Sequence, residues 1–261
     1  MTKFCANLSM LYAELPFLDR FAAAAVDGFK GVEYIGPYDH PAADIATILK
    51  RENLTQVLFN LPCGDWAGGE RGILCLPDRR AEFRDGVDTA LQYAMALGCH
   101  QINCLTGIAP AEVAPADLDA TMIENLSYAA PRMAAAGVRL LLEPVNSRDI
   151  PGFHCATVDH ALRIIDAVGH PNLWLQYDFY HAQIMQGDLI PTFERHHHRI
   201  AHVQIADHPG RHEPGTGEIN HGYVLGRLDG LGYEGWVGCE YKPKAGTSEG
   251  LGWMKTLGGR A

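Results

Sequence analysis

Short β-type apolar runs alternate with longer amphipathic stretches along this chain. The eight runs lie at 3–9, 31–36, 55–61, 101–107, 138–144, 173–179, 200–206 and 235–241. The stretches between them repeat apolar residues at helical spacing, and several end in glycine, the residue expected just past a helix. Asp78 and Thr157 precede two of these stretches and are predicted to be helix N-caps. The pattern therefore predicts a chain built of repeated strand–helix units.

Eight strands that alternate with helices form a parallel sheet, which is either open and doubly wound or closed into a barrel. The count of eight and the even spacing favour closure, and the nearly continuous apolar strands indicate a sheet covered on both faces. The length of 261 residues is close to that of one (β/α)₈ barrel. A division into two smaller domains lacks a linker. We therefore expect an α/β fold in which residues 1–261 form a single barrel domain.

Composition and charge exclude several classes of function. The formal net charge of −10 and the lack of a Lys/Arg run argue against nucleic-acid binding. The N-terminus resembles a first strand more than a signal peptide, and no apolar segment is long enough to span a membrane. The seven cysteines form no CxxC pair. Reduced thiols in a cytoplasmic protein are the expected state.

Four oxygen-bearing side chains stand near the ends of successive apolar runs: Glu143, Asp178, Gln204 and Glu240. They are separated by 35, 26 and 36 residues, each about one strand-plus-helix unit. A barrel brings the carboxyl ends of its strands to one face, so these side chains should converge there. Three converging carboxylates repel one another unless a cation lies between them. Because all four ligands are oxygens, Mg²⁺ or Mn²⁺ is favoured over zinc.

A cation between two glutamates suggests proton transfer next to a carbonyl group. The metal would polarise the carbonyl of a small hydroxy-oxo compound, one glutamate would remove the neighbouring carbon-bound proton, and the other would return a proton to the adjacent carbon. Glu143 and Glu240 are the predicted catalytic pair, and Asp178 and Gln204 are predicted to be ligands only. Which glutamate is the base in which direction stays open.

Substrate-binding groups are expected beside this centre. His181 lies three residues beyond Asp178 and could donate a hydrogen bond as a neutral imidazole. Arg211 and His212 lie in the long Gly- and Pro-rich loop 207–222, and Lys242 is a weaker candidate of the same kind. That loop and loop 61–77 both follow strand ends and should overhang the site. The adjacent histidines 196–198 point in different directions on a helix and are not expected to bind metal.

Several long segments of the chain resemble the hydroxypyruvate isomerase family, whose relatives include the 2-oxo-tetronate isomerases. They are EPVNSRDIPGF, LQYDFYHAQIMQGD, HVQIADHPGRHEPGTGEIN, the YKP…GLGW ending, ANLSMLYAELPFLDRFAAAA and LTQVLFNLPCGDWAGGERG. The resemblance implies a xylose-isomerase-like barrel, a divalent metal on Glu143, Asp178, Gln204 and Glu240, and the two glutamates as proton-transfer residues. It also implies interconversion of hydroxypyruvate and tartronate semialdehyde, or of a 2-oxo-tetronate and its 3-oxo isomer.

Three other interpretations fit the sequence less well. A sugar 3-epimerase on the same barrel would use the same glutamates, but such enzymes usually carry a His at the position of Gln204. A nuclease of the endonuclease IV type needs a cluster of His ligands and a basic DNA track. A non-catalytic barrel is disfavoured because both glutamates are present. The predicted partner is a small-molecule acid; a homo-oligomer is possible, and neither nucleic acid nor a membrane is expected.

Overall fold

A computed structural model describes residues 2–257 and shows eight parallel strands closed into a barrel in chain order. The strands are β1 (Lys3–Asn7), β2 (Gly31–Glu33), β3 (Thr55–Asn60), β4 (Gln101–Cys104), β5 (Arg139–Leu142), β6 (Leu173–Asp178), β7 (Ile200–Ile205) and β8 (Trp236–Cys239). β8 pairs with β1, which removes both sheet edges. The predicted closed barrel is confirmed. The assignment of all of 1–261 to one domain stays a prediction.

Helices surround the barrel between the strands. They are α1 (Arg20–Val26), α2 (Ala42–Glu52), α3 (Arg80–Leu97), α4 (Pro115–Ala135), α5 (Val158–Val168), α6 (Phe179–Met185), α7 (Leu189–His196), α8 (His221–Gly230), α9 (Thr247–Gly250) and α10 (Gly252–Thr256). Thr157 caps α5 as predicted, its side chain accepting from the His160 N–H at 3.2 Å. The Asp78 prediction is wrong. Asp78 lies inside a 3₁₀ turn, Pro77–Arg79, and α3 begins after Arg79 without a side-chain cap.

The barrel interior changes from apolar to polar along its axis. An apolar cluster comes from the odd-numbered strands, as in the layers expected inside an eight-stranded barrel, and Trp174 and Trp236 pack against it. Its members are Cys5, Val57, Leu58, Leu141 and Ala201. Toward the carboxyl ends of the strands, polar side chains replace this layer. The hydrophobic layer stabilises the barrel, while the polar end carries the predicted site residues.

The strands end one to three residues earlier than the apolar runs predicted, because the chain leaves the sheet while it is still buried. Leu105 to Gly107 continue β4 as buried loop, for example. The seven cysteines are buried free thiols, in agreement with the sequence prediction. Within residues 2–257, no helix is long and apolar enough to cross a membrane.

Candidate active site

The structure brings the predicted carboxylates together at the carboxyl end of the barrel. Asp178 is the last residue of β6, and Glu143 and Glu240 directly follow β5 and β8. One carboxylate oxygen from each of the three and a ring nitrogen of His181 lie within 4.8 Å of one another. Strand pairing places Asp178 opposite Gln204 of β7. The site therefore results from the equivalent position of these residues at the ends of neighbouring parallel strands.

These carboxyl groups are buried and repel one another. Burial, followed by the charges of Glu240 and Asp178, raises the pKa of Glu143 well above its usual value. Burial also raises the pKa of Asp178 to about 6 and that of Glu240 to about 8, although Arg211 opposes both shifts. Asp178 Oδ2 is buried and has no hydrogen-bond partner. A buried anionic oxygen without a partner is costly, and a cation would satisfy it.

Arg211 supplies the positive charge that faces this group. Its Nη2 lies 2.5 Å from Glu240 Oε2 and 3.8 Å from Asp178 Oδ2. Arg211 has a positive φ of 56°, and its backbone carbonyl accepts from the Lys242 N–H at 2.7 Å. Its guanidinium packs 5.0 Å from the ring centroid of Tyr180. Loop 207–222 therefore projects one cation into the carboxylate cluster.

His181 faces the site as a neutral imidazole. Burial, and then the charge of Arg211, lowers the pKa of His181 well below its usual value. Its Nδ1 is 2.7 Å from Asn146 Nδ2, which makes Nδ1 the acceptor and leaves the proton on Nε2. Nε2 lies 3.4 Å from Asp178 Oδ2. A hydrogen-bond donor therefore points at the carboxylate cluster.

Loop 207–222 is organised by the buried side chain of Asp207. Its Oδ1 accepts from the backbone N–H groups of His208 and Ile219 at 2.9 and 3.1 Å. Its Oδ2 accepts from those of Gly215 and Gly217 at 2.8 and 2.9 Å. The Asp207 carboxylate thus accepts hydrogen bonds from loop N–H groups that a helix or strand would pair with backbone carbonyls. This network fixes the segment that carries Arg211.

A cavity of about 660 Å³ opens above the carboxylates. Trp66 and Arg71 from loop 61–77 line it, as do residues 208–211 from loop 207–222, which confirms that both loops overhang the site. Lys242 lies at its rim and is exposed. His212 places Nδ1 2.7 Å from the Lys242 carbonyl and so braces the loop against the end of β8. Substrate contact by His212 stays a prediction.

Sequence reasoning missed a buried polar layer below the carboxylates. Asn103 donates to Glu143 Oε2 at 2.8 Å and to Asn60 Oδ1 at 3.0 Å. Asn7 donates to Glu240 Oε1 at 3.1 Å. Glu33 of β2 lies beneath them and is fully buried. A polar residue inside a short apolar strand, such as Glu33 in GVEYIG, was the available signal.

A second group of potential ligands lies outside the barrel interior. The Nε2 atoms of His154 and His160 lie 2.7 and 2.8 Å from the same oxygen, Asp119 Oδ1. Burial raises the pKa of Asp119, but the two histidines outweigh it and hold that pKa below its usual value. The contacts join α4, α5 and the β5–α5 loop. Hydrogen bonding accounts for this cluster.

Comparisons with known proteins agree with the fold and identify the family. A family model described as xylose isomerase-like TIM barrel matches residues 21–257. A 2-oxo-tetronate isomerase from Cupriavidus necator is 50% identical over 260 residues, covering 100% of both chains. A hydroxypyruvate isomerase from Escherichia coli K12 is 51% identical over 254 residues, covering 97% of this chain and 98% of the relative.

Solved structures give the same result for the fold. One described as an AP endonuclease, family 2, from Brucella melitensis is 47% identical, with a TM-score of 0.95 and coverage of 98% of this chain and 99% of that one. An L-ribulose 3-epimerase has a TM-score of 0.76 at 20% identity, with coverage of 98% and 86%, and shares the fold alone. With its closed barrel and its full-length similarity to curated isomerases, this chain is an isomerase of the xylose isomerase-like TIM-barrel family and belongs to the hydroxypyruvate isomerase and 2-oxo-tetronate isomerase group.

Proposed function

We propose that this protein is a divalent-metal-dependent aldose–ketose isomerase of a small hydroxy-oxo acid. The observation that carries the proposal is the convergence of Glu143, Asp178 and Glu240 in a buried site where Asp178 Oδ2 makes no hydrogen bond. The curated relatives named for hydroxypyruvate and 2-oxo-tetronate support the substrate class. We propose hydroxypyruvate or a 2-oxo-tetronate as the substrate.

The donor set fits a hard divalent cation. Glu143, Asp178, Gln204 and Glu240 would hold it, and their oxygen atoms favour Mg²⁺ or Mn²⁺. When bound, the cation would polarise the substrate carbonyl and make the neighbouring C–H more acidic. It would also offset the burial and the mutual repulsion that raise the pKa values of these carboxyl groups.

Glu143 and Glu240 would transfer the proton. In hydroxypyruvate, one carboxylate removes a proton from C3, the carbon that bears the hydroxyl group, and an enediolate forms. The other glutamate, as the acid, protonates C2, and the proton of the C3 hydroxyl passes to the C2 oxygen, so that C3 becomes the aldehyde and C2 the hydroxyl-bearing carbon of tartronate semialdehyde. The reaction is redox-neutral within the substrate, so it needs no external oxidant or reductant. The burial of both glutamates keeps bulk water from competing for the transferred proton.

The surrounding side chains would hold the substrate. His181 Nε2–H would donate to a substrate oxygen, because its neutral state leaves that proton available. Arg211 would hold the substrate carboxylate, since guanidinium groups bind carboxylates with two parallel hydrogen bonds. Lys242 at the rim would add positive charge. We further propose a cytoplasmic location and a homo-oligomeric state.

The test is NMR in D₂O with hydroxypyruvate and the 2-oxo-tetronates, using protein loaded with Mn²⁺ or Mg²⁺ and protein treated with EDTA. We expect isomer formation and deuterium incorporation next to the carbonyl with one of these acids, and loss of both after EDTA treatment. Undiminished activity in EDTA would exclude the metal, and turnover of none of these acids would contradict the substrate class.

Two parallel assays address the other activities considered. D-fructose and D-tagatose test for a 3-epimerase, and a DNA duplex with an abasic site tests for the nuclease activity that the name of the similar Brucella protein suggests. We expect no reaction with either. The single His in the carboxylate cluster and the net charge of −10 argue against the nuclease.

A further inference from the structure

A fully buried carboxylate, Glu33, lies beneath the proposed metal site. Its Oε1 accepts from Gln204 Nε2 at 2.8 Å and from Asn7 Nδ2 at 3.0 Å. Its Oε2 accepts from His202 Nε2 at 2.6 Å and from Cys5 Sγ at 3.3 Å. Each oxygen has two donors, so the hydrogen bonds compensate the charge without direct contact with a metal ion.

The first consequence concerns the side-chain amide of Gln204. Its nitrogen is held by Glu33, and its Oε1 accepts from Gln176 Nε2 at 2.7 Å. Rotating the amide by half a turn would place its oxygen against the Glu33 carboxylate and its NH₂ against the NH₂ of Gln176. Both new contacts are repulsive. The carboxylate of Glu33 therefore determines where the carbonyl oxygen of Gln204 lies.

The second consequence concerns Glu240. Asn7 Nδ2 lies 3.0 Å from Glu33 Oε1 and 3.1 Å from Glu240 Oε1, so one amide group bridges the two carboxylates. An NH₂ group has two hydrogens and can satisfy both acceptors at once. Glu33 thus holds Asn7 together with the Ser9 N–H, which donates to Asn7 Oδ1 at 3.1 Å, and Asn7 holds one oxygen of Glu240.

The barrel leaves space for this carboxylate at Gly238. A Cβ atom added at Gly238 would lie 2.3 Å from Glu33 Oε1, which is far inside a van der Waals contact. Gly238 pairs with Gln204 in the register of β7 and β8. The backbone of β8 is therefore compatible with Glu33 only because it carries no side chain at this position.

We infer that Glu33 is a positioning residue for the metal centre. It orients Gln204 directly and Glu240 through Asn7, so that both present oxygen atoms to one cation, and it touches neither the cation nor the substrate. The inference rests on the proposed function, because Gln204 and Glu240 are ligands only there. Groups that orient metal ligands commonly change metal affinity by about 10–100-fold when they are mutated.

The test compares the Mn²⁺ dissociation constants of folded, metal-free wild-type, Glu33→Gln and Cys5→Ala proteins by calorimetry. Glu33→Gln keeps the shape of the side chain but replaces one acceptor by a donor, and we expect about 10–100-fold weaker binding. Cys5→Ala removes a donor on the side of the carboxylate away from the ligands, and we expect binding within about twofold of wild type. The melting temperature of each metal-free variant separates loss of stability from loss of affinity, because a purely structural role would change only the former.

A paired exchange keeps the inference testable if Glu33→Gln folds poorly. In Glu33→Gln/Gln204→Glu, the new amide at position 33 can donate to the new carboxylate at 204, which still accepts from Gln176. We expect this double variant to recover part of the Mn²⁺ affinity, because the amide at position 33 restores the hydrogen bond to residue 204 but faces the NH₂ of Asn7, whose Oδ1 is held by the Ser9 N–H. Affinity that stays at the wild-type value in Glu33→Gln, or a double variant that binds Mn²⁺ no better than Glu33→Gln, would overturn the inference.

The same titrations separate this inference from the proposed function. Weak Mn²⁺ binding in Glu240→Gln with unchanged binding in Glu33→Gln would reject only the positioning role. Wild-type binding that is absent, or that is insensitive to both Glu143→Gln and Glu240→Gln, would reject the metal centre and the role of Glu33 with it.

Discussion

Replacing Glu240 by Gln isolates the proposed proton transfer. The substitution keeps the size of the side chain and one oxygen, which can accept from either Asn7 or Arg211; in the wild type these two donate to different oxygens of Glu240. It removes the ability to exchange a proton near neutral pH. Because burial raises the pKa of Glu240 to about 8, the metal-free wild-type carboxyl is already largely neutral at pH 7. The variant should therefore fold with close to wild-type stability.

The expected loss of activity follows from the proposed role of Glu240 as a general acid or base. A positioned general acid or base contributes about 10²–10⁴-fold to the rate. At about 1.36 kcal/mol for each factor of ten, this is about 2.7–5.4 kcal/mol of activation free energy. Glu240 would also be an anionic ligand, so the metal affinity should fall as well. A kcat measured at saturating Mn²⁺ removes this second effect, and we expect it to drop by two orders of magnitude or more.

The assay is NMR-monitored turnover of the active substrate at saturating Mn²⁺, with the metal content of each sample measured. Glu249→Gln is the matched control, since Glu249 is an exposed residue of α9 and undergoes the same chemical change. We expect the control to retain wild-type kcat and KM. A metal-loaded Glu240→Gln enzyme that turned over within a factor of about three of wild type would refute the assignment of Glu240.

Three further predictions concern stability. A carboxyl with a raised folded-state pKa stabilises the fold below its unfolded pKa and loses that contribution as the pH rises through the folded value. The lowered pKa of His181 acts in the opposite direction below its usual value of 6.5, so in EDTA the melting temperature should fall between about pH 6.5 and 8, the range set by Glu240; a flat profile there would contradict the buried cluster. Asp207→Asn should lower the free energy of unfolding in urea by about 1–3 kcal/mol and raise KM, because the new NH₂ group faces backbone donors. Proteolysis of loop 207–222 at the wild-type rate would argue against this prediction. Thr157→Ala should cost about 1 kcal/mol and leave kcat unchanged, as measured by melting and turnover.

The alternation of apolar runs and helical stretches was sufficient to predict the closed barrel. Each of the eight runs forms a strand because it is too apolar to remain exposed and too short to form a buried helix. The predictions of the strand ends and of the start of α3 were less accurate. Asp78 has the right residue type for an N-cap, but Pro77 begins a 3₁₀ turn there and the α-helix starts later.

The candidate site also has one part that the sequence predicts and another that it does not. Glu143, Asp178, Gln204 and Glu240 could be found because the strand–helix period alone places them on one face of the barrel. The pairing of Arg211 with Glu240 could not, because the two residues are 29 positions apart and meet only through the path of loop 207–222. That path is determined by four backbone donors around Asp207, which no local pattern records.

The sequence by itself determined the type of fold and the placement of four oxygen-bearing side chains at the carboxyl ends of neighbouring strands, because strand periodicity is a local property of the chain. The tertiary structure alone decided the electrostatics of these groups and the orientation of the side chains around them. Burial and the approach of like charges shift the carboxyl pKa values, and Glu33 meets Gln204 only across the closed barrel, 171 residues away along the chain. Such long-range contacts depend on strand order and register, which the residues of any one segment do not specify.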